Sequence, residues 1–147
     1  MKLILLFVAL IAGMMAPLQA GLNGKMGRAI GDPFYAALIS FAVGTMGLFC
    51  YALITRLEFA SIRHASNIHW TVWSAGLLGA FYVSAILILT PKLGATLTFG
   101  LIVAGQLVMA LFLDHFGLLG VPVQVLSWQR FLGIILITAG VILIRKY

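Results

Sequence analysis

The chain has 147 residues, 63% of them hydrophobic and 8% charged, with a formal net charge of +6. A soluble domain averages about 45–50% apolar and about 25% charged residues, so a soluble core of this size cannot hide so much apolar side chain. The composition places the chain in a membrane, leaves no room for an added soluble domain, and allows about five crossings of about 20 residues each.

The first span is expected from Leu3 to Gly27. Lys2, the apolar Leu3–Ala12 and Leu18-Gln-Ala20 have the three-part layout of a secretory signal, but Pro17 and the polar continuation fit a spanning helix better. Gln19 and Asn23 stand four residues apart, one above the other on one helix face. A carboxamide carries both donors and acceptors, and left unpaired in hydrocarbon it costs on the order of 4–8 kcal/mol. A plain anchor would use leucine there. Pro17 removes the hydrogen bond to the Gly13 carbonyl and predicts a kink. Paired polar residues beside an interrupted helix are a usual make-up of a transporter site. The bland alternative is that both amides bond a neighbouring helix, worth about 0.6 kcal/mol on average. Lys25, near the end of the span, can snorkel to the headgroups.

Gly31-Asp32-Pro33 predicts a turn, with Pro33 in the first turn of a second span over 34–54. A polar loop follows from Thr55 to Trp70 with Arg56, Glu58, Arg63, His64 and His69; Trp70 and Trp73 mark a membrane interface. The third span covers 71–89 and carries Tyr82 at mid-depth, where a phenol can wall a cavity and bond a solute or simply pack. Thr90-Pro91-Lys92-Leu-Gly94 is expected as a tight reversal. The fourth span covers 93–113 and holds Gln106 deep inside, as either a solute contact or interhelical glue. The last loop, Asp114 to Trp128, contains the breakers Gly117, Gly120 and Pro122, and Asp114 is placed to cap a turn or to pair with Arg130. The fifth span covers 129–144. Residues 1–147 are thus expected to form one all-α transmembrane domain, a five-helix bundle.

The nine cations stand singly or in pairs between apolar runs, without a basic stripe or a nucleic-acid motif. They read as helix-end anchors at lipid headgroups, and nucleic acid is not an expected partner. Five spans put the termini on opposite sides of the bilayer. Four cations (Lys2, Arg56, Arg63, Arg130) then face one side and five (Lys25, Arg28, Lys92, Arg145, Lys146) the other. The positive-inside rule orients a protein through an excess, and a difference of one barely orients this chain. Either one or two residues dominate and fix a single orientation, or the chain inserts both ways and permits an antiparallel homodimer.

Membrane helices pack closely through small residues. Ala36, Ser40 and Gly44 repeat at four-residue spacing, as do Ala75 with Gly79, Ala80 with Ser84, and Gly100 with Ala104; Gly133 and Gly140 lie seven apart. The single cysteine, Cys50, has no disulfide partner and reads as a packing residue. No P-loop, GxSxG, metal-ligand cluster or intramembrane carboxylate pair is present, and the three histidines lie in loops without ligand spacing, so neither an enzyme nor a cofactor is expected.

Pro17-Leu-Gln-Ala-Gly-Leu-Asn23, Leu101-Ile-Val-Ala-Gly-Gln106, Leu113-Asp-His-Phe-Gly117 and Gln129-Arg-Phe-Leu-Gly133 with Ala139–Ile144 resemble the YdcZ family of the drug/metabolite transporter superfamily. The resemblance covers essentially the whole chain. It implies a multi-pass protein of the bacterial inner membrane, equivalent to one half of a ten-helix inverted-repeat transporter of the EamA type. A single half then needs a partner, either its own copy upside down or a related five-helix half. The final helix also looks like that of the small multidrug resistance proteins, whose first helix carries a membrane glutamate. This sequence has no acid there, so proton-coupled export of cations does not carry over. The combined expectation is a small-molecule transporter with Gln19, Asn23, Tyr82 and Gln106 contacting solute near the bilayer midplane. A small dual-topology ion channel and a non-transporting assembly protein are the alternatives.

Overall fold

The computed structural model describes residues 2–60, 65 and 68–146. Arg63 and His64, expected in the polar loop, lie outside the described residues. Five helices follow in order: α1 (Lys2–Ile30), α2 (Pro33–Ile54), α3 (Ser74–Leu93), α4 (Ala95–Phe116) and α5 (Trp128–Lys146). Each is long and apolar enough to cross a membrane. Hydrocarbon offers no hydrogen bonds to a backbone, so an apolar segment of this length satisfies its own amides as helix. The all-α membrane fold expected from composition is what the described residues form.

Local chemistry sets the ends. Asp32 caps α2: its carboxylate accepts from the Phe34 amide at 2.6 Å and the Tyr35 amide at 3.4 Å. Pro33 fills the first helical position, where no amide proton is needed. A short 3-10 turn, Trp70–Trp73, leads into α3, with both tryptophans exposed. Gly117 ends α4 in the left-handed region at φ 62°, and its amide bonds the Leu113 carbonyl.

α1 runs through Pro17 as one helix, as the single first span requires, and neighbouring turns hold it although one hydrogen bond is missing. One expectation about the backbone is corrected. The reversal expected over Thr90–Gly94 shrinks to Gly94 alone, at φ 81°; α3 continues through Pro91 to Leu93. Gly94 carries a backbone angle that side chains with a Cβ avoid, so one residue makes the corner.

The chain divides into two compact units, Met1–Ile88 and Leu89–Tyr147. In the first, α1 packs on α2 where Gly27 meets Pro33 and Ala36; a Cβ on Gly27 would stand 3.3 Å from the Pro33 Cα. Ala36 is completely buried there, as the small-residue spacing predicts. Gly79 of α3 faces the ring of Phe41 on α2. In the second unit α4 packs on α5, with Gly100 against Val141. Gly133 and Gly140 meet no neighbour within contact distance, so that pair marks no close helix approach among the described residues. Cys50 is exposed on α2 and does not pack within the single chain, contrary to expectation.

Candidate functional site

Gln19 and Asn23 lie on one face of α1, yet their environments differ. Asn23 is 4% exposed and its Nδ2 has no hydrogen-bond partner. Gln19 is exposed at the same face and donates through Nε2 to Ser40 Oγ of α2 at 3.4 Å, a long and weak bond. Both amides border two spaces. On the α3 side a small void of about 20 Å³ is lined by Gln19, Asn23, Tyr82 and the apolar Ile86 and Leu87. On the α2 side a groove of about 450 Å³ is lined by Gln19, Asn23 and Ser40 among Met15, Leu22 and Met26. A further space of about 320 Å³ continues along α2 past Ser40 to Thr45, with Gln19 at its edge.

Gln19, Ser40 and Tyr82 share a depth: Gln19 lies within about one turn of the centre of α1, Ser40 within about one turn of the centre of α2, and Tyr82 close to the centre of α3, while Asn23 stands about two turns from the centre of α1. Of the expected site residues, Gln19, Asn23 and Tyr82 come together. Gln106 is exposed on α4, in the other unit. Ser40, expected only in the small-residue packing stripe, carries a hydroxyl at the depth of Gln19 on the next helix, and that hydroxyl is the sequence signal for its polar role.

A buried amide donor without an acceptor costs about 1–3 kcal/mol relative to a satisfied one. Such groups are rare in folded proteins and call for an explanation. Neither space is lined by an acid, a base or a histidine, so the site offers dipoles without a formal charge. Among the described residues no cluster of metal-ligating side chains occurs.

In the second unit Asp114 at the end of α4 pairs with Arg130 at the start of α5, Oδ2 to Nη1 at 3.3 Å. Arg130 also donates to the backbone carbonyl and side-chain oxygen of Gln124. The Leu126 amide donates to His115 Nδ1 at 3.1 Å, and the Gln124 amide to the Asp114 carbonyl at 2.8 Å. The Asp-His pair of the Leu113–Gly117 stretch therefore ties the α4–α5 loop to the helix end.

Residues 4–143 match the family described as "Putative inner membrane exporter, YdcZ". The chain belongs to the YdcZ family. It is 36% identical over 81 residues to the inner membrane protein YdcZ of Escherichia coli (strain K12), a match covering 55% of this chain and 54% of that protein. The chain thus matches about half the length of that curated relative. No solved structure matches it. Membership of the YdcZ family, with five apolar helices, makes this a multi-pass protein of the bacterial inner membrane.

Proposed function

We propose that the chain is a small-molecule transporter that works as an antiparallel dimer of five-helix subunits, with Gln19, Asn23 and Tyr82 contacting solute near the bilayer midplane. The family's description as an exporter supports transport. The observation that carries the site is the buried, unpartnered Asn23 amide beside open volume. Glue would have consumed that donor; a site keeps it free. The dimer rests on the near-even division of cations between the two sides. Alternating access follows from one subunit rocking against the other around a fixed polar level. The uncharged lining suits a polar neutral or zwitterionic solute better than a bare cation. Gln106 stays a candidate on depth alone, since it lies at the centre of α4.

The test is counterflow in proteoliposomes across a panel of neutral and zwitterionic solutes. Gln19→Leu combined with Asn23→Leu should leave the dimer cross-linkable and cut transport at least tenfold. Unchanged transport by an intact dimer would falsify the site. The Gln19–Ser40 hydrogen bond favours a second reading for Gln19 alone, as a strut between α1 and α2. In that case Gln19→Leu loosens the subunit and Asn23→Leu alone abolishes transport.

A further inference from the structure

Asn23 presents a donor, not merely a polar surface. Its Nδ2 is fully enclosed and unpaired, and the adjacent void of about 20 Å³ is large enough for about one heavy atom. The far larger groove of about 450 Å³ borders the same side chain. An ammonium or quaternary cation could not accept this proton. It would also lose hydration without gaining a counter-charge, because no carboxylate lines either space. An oxygen that accepts a hydrogen bond, carried on an uncharged solute, satisfies the orphan donor and imports no net charge.

Resting on the transporter reading above, we infer that Asn23 selects solutes by a protruding oxygen acceptor. The class is small molecules with a carbonyl, N-oxide or similar oxygen and no net charge. The body of the solute occupies the α1–α2 groove, and the Asn23 side chain turns so that its enclosed amide meets the single oxygen. Gln19 and Ser40, already loosely bonded to each other at 3.4 Å, can exchange that weak bond for contacts to the solute body.

A matched pair of probes tests this. Trimethylamine N-oxide and tetramethylammonium share one shape; the first carries an oxygen acceptor without net charge, the second a methyl group and a permanent positive charge. The readout is the side-chain amide signal of Asn23 in nitrogen-15-labelled protein in micelles, assigned by its loss in Asn23→Leu. The N-oxide should shift it saturably, at least fivefold more than the cation at equal concentration. Asn23→Asp keeps the size but removes the donor and supplies an anion. In that variant, equilibrium dialysis with carbon-14-labelled probes should reverse the preference at pH 8. Equal response to both probes overturns acceptor selection while leaving a solute site in place. No response to either, with the Asn23 amide exchanging magnetisation with a held water instead, also overturns it and gives the void to solvent. If transport in the Gln19/Asn23 leucine pair is nonetheless lost, the transporter reading survives and only the acceptor class falls.

Discussion

Val141 of α5 occupies the space that a side chain on Gly100 of α4 would need. A Cβ there would lie 2.9 Å from Val141 Cγ2, closer than packed atoms tolerate. With little hydrophobic force between helices in lipid, such close approach is a main source of their attraction. Gly100→Leu should therefore destabilise the α4–α5 pair by about 1–3 kcal/mol, the usual cost of overpacking. Reversible unfolding in mixed micelles measures it, and Val141→Ala in the Gly100→Ala background should recover most of the smaller loss. Absence of coupling in that cycle sinks the contact.

Asn23→Leu offers the opposite sign. Removing an unpaired buried donor and filling its place with a similar apolar volume should leave stability unchanged or raise it by about 1–3 kcal/mol. Loss of more than about 1 kcal/mol in the same unfolding assay would show that the amide has a partner after all.

The Asp114–Arg130 pair is about one-third exposed on each side, Asp114 at 32% and Arg130 at 34%, so its own contribution is small. Asp114→Asn should cost about 0.2–1 kcal/mol. Arg130→Leu should cost more, because it also releases both oxygens of Gln124. Equal losses in the two variants would mean that the Gln124 contacts contribute nothing.

Gly117→Ala meets two obstacles, a backbone at φ 62° and the Val123 side chain 2.6 Å from the new Cβ. The backbone alone costs an L-residue about 1–2 kcal/mol. Limited proteolysis of the α4–α5 loop should speed up several-fold in this variant, while Gly105→Ala, with open space at its Cβ, should change nothing.

Orientation is testable through charge. Tags at both termini should each report two populations in intact cells. Arg145→Gln with Lys146→Gln reduces the cations on that side from five to three against four. The positive-inside rule then places the N-terminal side in the cytoplasm, and the population with a cytoplasmic C-terminus should shrink. A single population in the parent chain removes the basis for the antiparallel homodimer.

The helical architecture was legible because backbone satisfaction in hydrocarbon leaves few choices, so apolar length alone reveals a helix. The shared face of Gln19 and Asn23 was legible from their four-residue spacing. What spacing could not give was their inequality. Burial of Asn23 and exposure of Gln19 depend on how α2 and α3 approach α1, and no local signal encodes that. Ser40 escaped notice as a polar partner because a serine in a small-residue stripe has the same sequence signature whether or not its hydroxyl is used. At Pro17 one hydrogen bond is missing, and flanking turns in an apolar medium keep the helix continuous. Pro91 reads as part of a reversal in the sequence, yet α3 continues through it and the corner needs only Gly94.

Cys50 is the chain's one thiol and is exposed on α2. It lies about 10 Å along the axis from the centre of that helix, at about 1.5 Å per residue. Were two copies to stand head-to-tail with α2 centred in the bilayer, their sulfurs would differ in height by about 20 Å, beyond the reach of a disulfide, whose Cα atoms must approach within about 7 Å. Side-by-side copies of the same orientation keep both sulfurs at one height and permit oxidation to a covalent pair. Paramagnetic labels on this native residue can therefore tell the two assemblies apart without a single substitution.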